Sequence, residues 1–195
     1  AFSAADLGGF AIKAALERAG VAPDEVEHVI IGQVLTAGQG QVPSRQAAVK
    51  AGIPMSVPSL NINKVCLSGL NSIHLADQMI RAGEADIVVA GGMESMTNAP
   101  YLAPGARGGF RYGNTELADA IVKDGLWCAF DVCLMGTGTE QYNAGGISRD
   151  EQDDLAMKSN LRAAAAIAAG RLTEEIVAVE IPQRKGDPVL FSEDE

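Results

Sequence analysis

Residues 59–90 read SLNINKVCLSGLNSIHLADQMIRAGEADIVVA. Ser59 to Val65 is a run of strand length, and Gly69 to Ala82 then carries apolar residues at helical spacing, with Gly83 placed to stop the helix in a left-handed turn. Asp86 to Ala90 (DIVVA) is a second strand, and its unbroken apolar run Ile87-Val88-Val89-Ala90 suits a sheet covered on both faces. Strand, helix and strand at this spacing predict a βαβ unit, hence an α/β fold built on a parallel or mixed sheet with helices on both faces.

The segments on either side fit that frame. His28 to Leu35 (HVIIGQVL) is a β-branched strand, and Pro43 to Ala51 is a short helix with Pro in its first turn and Gly52 just beyond it. Ser3 followed by Asp6 reads as a capping box, so a helix opens there, with Leu7, Phe10, Ala11, Ala14 and Ala15 on its expected buried face and Gly20 closing it. After Gly91 the texture changes. Gly91-Gly92 reads as a tight turn or a site floor, and PGARGGFRYG (104–113) is Gly-rich, with Arg107, Arg111, Phe110 and Tyr112 suited either to an interface or to a solvated loop. Ser148 with Glu151 opens a long Ala-rich helix reaching Ala169, and Glu175 to Ile181 reads as the last strand. A domain boundary is therefore expected near residue 97, between a compact α/β unit (1–97) and a loop-rich unit (98–195).

Composition excludes several function classes. The 195 residues carry 25 acidic and 15 basic side chains, a net charge of −10, with no Lys/Arg cluster to attract nucleic acid or an anionic membrane. No apolar run reaches the roughly 18–20 residues needed to cross a bilayer. Three cysteines, Cys66, Cys128 and Cys133, are too few and too irregular for a disulfide framework. A cytoplasmic protein with reduced thiols is the expectation. The chain begins at Ala1 and stops after Ser192-Glu193-Asp194-Glu195, which reads as a piece of something longer.

The chemistry concentrates at Asn63 to Leu70, NKVCLSGL, where Cys66 sits between a strand and a helix with small residues Ser68 and Gly69 just after it. First-turn amides and the helix dipole there favour negative charge on the sulfur, and the same amides suit an oxyanion. A small buried hydrophobe is the competing reading of Cys66. A thiol nucleophile needs a base, and the chain has two histidines. His74 lies eight residues further along the same helix, about 12 Å at 1.5 Å per residue, and reads as a packed helix residue. His28 opens a strand and reads as solvated or capping. No metal-ligand spacing is present. Cys128 and Cys133 read as core residues, and Arg184-Lys185-Gly186-Asp187 as a solvated turn or a phosphate contact. Either Cys66 is structural or its proton-transfer partners lie outside these residues.

Residues 63–102, continuing through DGLW (124–127), MG (135–136), GISRDEQD (146–153) and RKGD (184–187), resemble the acyl-enzyme half of thiolases, above all acetyl-CoA acetyltransferases. The resemblance covers essentially the whole chain. It implies a layered α/β fold in which residues 1–97 form the first core domain, lacking its first strand, and 98–195 form most of an inserted loop domain, the second core domain being absent. It implies that Cys66 is the nucleophile that takes the acyl group from a CoA thioester, with Leu126 and Met135 lining the pantetheine and acyl site. Coenzyme A enters as substrate, with no covalently bound cofactor, and residues 105–125 fall where the family carries a loop that assembles dimers into tetramers.

Two positions depart from the family pattern. Leu67 stands where Gly commonly follows the nucleophile, and Leu134 stands where many acetoacetyl-CoA thiolases have His before Met-Gly. The bulk of Leu67 must point away from a thioester on Cys66. The family's Gly-His-Pro base, its late second cysteine and its opening Arg-Thr-Pro signature do not occur in the chain. The expected function is acyl exchange between CoA thioesters by the full-length protein, making or cleaving a 3-ketoacyl-CoA, with this chain alone inactive. A non-catalytic fragment or assembly module is the alternative, and a ketoacyl-synthase type of condensing enzyme a more distant one.

Overall fold

The computed structural model describes residues 2–194. The chain divides into two compact units, Ala1–Trp127 and Cys128–Glu195. In chain order the elements of the first are α1 (Ala4–Ala19), β1 (His28–Gly32), α2 (Pro43–Lys50), β2 (Ser59–Ile62), α3 (Ser68–Ala82), β3 (Val88–Gly92), β4 (Tyr101–Leu102) and β5 (Ala118–Asp119). The strand β6 (Trp127–Cys128) follows, and then β7 (Cys133–Leu134), α4 (Met135–Tyr142), α5 (Arg149–Ala168), β8 (Val179–Ile181) and β9 (Val189–Phe191).

The central sheet of the first unit has the order β2-β1-β3, and both pairings are parallel, with Ile30 opposite Leu60 on one side and Ala90 on the other. A mixed sheet was an open expectation. The sheet is parallel because a helix, α2 and then α3, returns the chain to the same end before each new strand. Antiparallel pairing occurs elsewhere, between β4 and β5 and between β8 and β9.

The alternation of side chains along β1 sorts the helices onto two faces. Val29 and Ile31 join α1, α2 and Met93 in the buried cluster, whereas Ile30 lies with Leu75 and Met79 of α3. Of the expected buried stripe of α1 only Ala14 is buried. Ala5, Gly8, Ile12 and Leu16 are buried, while Leu7 and Phe10 are exposed and Phe10 packs edge-on against Phe2 with ring centroids 5.1 Å apart. Close approach of α1 to α2 decides this. A Cβ on Gly8 would stand 3.1 Å from Ala47 Cβ and 2.6 Å from Met93 Sδ, so the smallest residues face inward and the large ones are turned out.

The start of α1 is as the capping box predicts. Ser3 Oγ accepts from Asp6 N at 3.1 Å, and Ser3 N donates to Asp6 Oδ2 at 2.9 Å. Asp6 also pairs with Lys50 of α2 at 2.6 Å. The Lys50 ammonium, together with the Ser3 hydrogen bonds, lowers the Asp6 carboxyl from 3.8 to about 2. A depressed folded-state value means that the stabilisation is complete above about pH 4 and is lost as pH falls through about 2. Asp6→Asn is expected to flatten that part of the acid limb in urea unfolding followed at successive pH values. Ser3→Ala is expected to cost about 1 kcal/mol at neutral pH.

In the second unit Ser148 and Glu151 form the expected capping box of α5. The strand expected over 175–181 is confined to β8 and is followed by β9, which the sequence reading missed. Arg184 to Asp187 lie on the exposed connection between the two strands. Cys128 and Cys133, expected in a core, are half-buried, and the Cys128 thiol donates to Asp131 Oδ2 at 3.3 Å.

The boundary expected near residue 97 falls inside the first unit. Tyr101 and Leu102 pair with Asp119 and Ala118, Ala120 is fully buried, and its N–H donates to Pro100 O at 3.2 Å. Among the described residues no helix is long and apolar enough to cross a membrane.

Candidate active site

The turn that carries Cys66 is built from its neighbours' hydrogen bonds. The expected strand through Val65 stops at Ile62, because residues 63–67 fold into a tight connection ahead of α3. Val65 N donates to Asn63 Oδ1 at 2.9 Å. The Ser68 hydroxyl accepts from Lys64 N at 2.8 Å and donates to Val65 O at 2.5 Å. These contacts hold Val65 at φ 50°, a left-handed conformation that costs a β-branched residue on the order of 1–3 kcal/mol. The strain lies directly before the candidate nucleophile.

The turn does not present all its amides as the sequence suggested. Leu67 N and Ser68 N donate to Lys64 O and Val65 O at 3.2 and 3.0 Å, so the turn itself uses them. Cys66 is exposed, which sets aside the buried-hydrophobe reading. It lines two adjoining hollows. One, of about 300 Å³, is bounded by Gly32, Gln33, Ser68, Gly69, Gly92 and Met93. The other, of about 150 Å³ and almost wholly apolar, is bounded by Leu35, Met96, Ile121, Gly125 and Leu126. Cys66, Val34, Val65 and Glu94 border both. Leu67 borders neither, in keeping with the requirement that its bulk point away.

These hollows exist because the parallel strands end together. Gly32 and Gly92 are the last residues of β1 and β3, and they stand opposite each other in register. A Cβ on Gly32 would lie 2.4 Å from Ser68 C and 2.6 Å from Gly69 N, so only glycine lets the first turn of α3 rest on the strand end. Gly91 and Gly92, read as a tight turn or a site floor, end β3, and Gly92 lines the larger hollow together with Met93 and Glu94, which follow it.

The remaining sequence candidates separate. Leu126 comes to the same apolar hollow as Cys66. Met135 opens α4 of the second unit and is exposed. His74, expected to be packed, lies on the exposed face of α3. His28, expected to be solvated or capping, is half-buried with Nδ1 enclosed and without a partner, at the opposite end of β1 from Gly32. Four strand rises of about 3.3 Å put that end roughly 13 Å away. Neither histidine borders a hollow that contains Cys66. Among the described residues no group of His, Cys, Asp and Glu could hold a metal ion.

Cys66 thus stands exposed at a strand-to-helix junction, beyond the carboxyl ends of the parallel strands and beside an apolar hollow. The family profile "Thiolase, N-terminal domain" matches residues 1–195, and the chain belongs to the thiolase family. It is 56% identical over 195 residues to a "Probable acetyl-CoA acetyltransferase" of Mycolicibacterium smegmatis, covering 100% of this chain and 50% of that protein. It is 55% identical to an "Acetyl-CoA acetyltransferase" of Cupriavidus necator, covering 98% of this chain and 49% of that one. A Pseudomonas aeruginosa protein of the same name is 49% identical over 193 residues, again covering 98% of this chain and 49% of its own length. The chain spans about half the length of the curated relatives it matches.

Proposed function

We propose that the protein, as its gene encodes it, is an acyltransferase that exchanges acyl groups between CoA thioesters and so makes or cleaves acetoacetyl-CoA or another 3-ketoacyl-CoA. The observation that carries this reading is the exposed Cys66 at the mouth of an apolar hollow in a chain of the thiolase family. Cys66 Sγ, as thiolate, attacks the thioester carbonyl. The C–S bond to coenzyme A breaks as the tetrahedral intermediate collapses, leaving the acyl group on Cys66 and coenzyme A as the departing thiolate. In the second half-reaction the C–S bond to Cys66 breaks as the acyl group passes to the α-carbon of a second acyl-CoA, which gives up its α-proton to a base outside these residues, or to the sulfur of coenzyme A, which gives up its thiol proton, and the Cys66 thiolate is regenerated. Splitting one difficult exchange into two acyl transfers is the advantage of the covalent intermediate. Leu126 shapes the acyl end of the hollow, Met135 contributes to the pantetheine and acyl site, and the backbone amide of Cys66 serves the oxyanion.

The proton-transfer groups come from outside these residues, since neither histidine reaches the thiol. On this reading residues 1–97 are the first core domain and 98–195 most of a loop domain inserted in it, the part of that loop domain up to Trp127 packing with the core domain in one compact unit. Residues 105–125, with Phe110 and Tyr112 exposed, contribute to assembly as a dimer or tetramer. The compartment is the cytoplasm, and coenzyme A thioesters are substrates. The same absence of a base favours a second reading, in which this chain by itself is a non-catalytic fragment or assembly module.

The test is thiolysis. The protein as encoded, given acetoacetyl-CoA and coenzyme A, is expected to release acetyl-CoA with ping-pong kinetics, while the isolated 195-residue chain shows no turnover. Turnover by the isolated chain would rule out the second reading, and sequential kinetics in the encoded protein would contradict the first.

A further inference from the structure

We infer that Glu94 is a positioning residue for acyl transfer at Cys66, holding the wall against which the acyl group lies. The inference rests on the acyl-transfer reading above. Beyond β1 the ladder gives out: Gln33 N donates to Ile62 O at 3.0 Å, and the next two residues have left the sheet. Their amides turn instead to a side chain 60 and 59 residues away. Glu94 Oε2 accepts from Val34 N at 2.8 Å, and both carboxylate oxygens accept from Leu35 N at 3.3 Å. Val34 borders both hollows that contain Cys66, Leu35 borders the apolar one, and Glu94 stands where the two hollows meet.

An ionised carboxylate is acceptor-only and can serve two converging N–H groups. A glutamine of the same shape keeps one acceptor oxygen instead of two, loses the charge that strengthens both bonds, and turns an NH₂ toward Leu35 N. Glu94 therefore ties the segment after β1 to the segment after β3, and the apolar side chains of Val34 and Leu35 are held at a fixed distance from the sulfur. Neighbouring groups support a rigid wall. Gln33 is almost fully buried, accepts from Asn61 Nδ2 at 3.1 Å and donates to Leu35 O at 3.4 Å.

The experiment compares Glu94→Gln and Glu94→Asp with the unsubstituted protein as its gene encodes it. Two reagents for Cys66 are used: acetyl-CoA, which needs the wall, and iodoacetamide, which needs only an exposed thiol. Peptide mapping assigns the modified cysteine. In Glu94→Gln the rate of acetylation is expected to fall by about tenfold or more while alkylation stays within about twofold, and Glu94→Asp recovers part of the loss. Acetylation of Glu94→Gln at the unsubstituted rate overturns the inference. So does a parallel fall in both rates accompanied by a lowered urea midpoint, which would make Glu94 a general structural residue. Failure of the unsubstituted protein to acetylate at Cys66 overturns the acyl-transfer reading, and is distinguished from the other outcomes by the control arm alone.

Discussion

Cys66→Ser is expected to lower acyl exchange in the encoded protein by about a thousandfold or more while leaving the urea midpoint nearly unchanged. The side chain is exposed and borders open hollows, so the exchange of sulfur for oxygen disturbs no packing. What changes is chemistry: a serine hydroxyl is far harder to ionise than a thiol and needs an adjacent base. No histidine of this chain borders the hollows to supply one. Steady-state thiolysis together with urea unfolding separates the two effects. Near-normal turnover in the serine variant would show that the acyl group never rests on this residue.

The second large effect is expected at Gly32→Ala. The new methyl would meet backbone atoms of α3, Ser68 C at 2.4 Å and Gly69 N at 2.6 Å, and neither can swing aside as a flexible side chain would. Either α3 lifts from the strand end or β1 bends, at a cost of about 3 kcal/mol. The first turn of α3 holds the Cys66 connection through the Ser68 hydroxyl, so the damage reaches the nucleophile. A lowered urea midpoint with a slower reaction between Cys66 and iodoacetamide is the expected result. A variant as stable as the parent would mean that the strand end and helix are not packed as described.

These sites show what the sequence discloses and what it hides. The βαβ frame around residues 59–90 was legible because Gly83, the helical spacing and the apolar run at 87–90 are local signals, and they put Cys66 between strand and helix while leaving its role open. Resemblance to thiolases supplied Leu126, and the fold brings it to the same hollow as Cys66. Features made by distant partners were not legible. Glu94 lies 60 residues from Val34 N, to which it is bonded, so no window on the sequence joins them. Apart from Ala14, the buried face of α1 was misread because the apolar 3.6 period through Leu7 and Phe10, not close approach through Gly8, was taken as the guide. Strand β9 is only three residues long and follows Pro188, too short for periodicity to register. His74, out of reach of Cys66 along the same helix, was expected to be packed, yet its position falls on the exposed face.

The central claim is that Cys66 carries the acyl group. The most direct measurement is peptide mapping of the encoded protein quenched after mixing with acetyl-CoA in the absence of an acceptor. The account predicts one acetyl group per chain, on the peptide containing Cys66 and labile to hydroxylamine. Product formation with that peptide unmodified, or acetylation confined to Cys128 or Cys133, would contradict it.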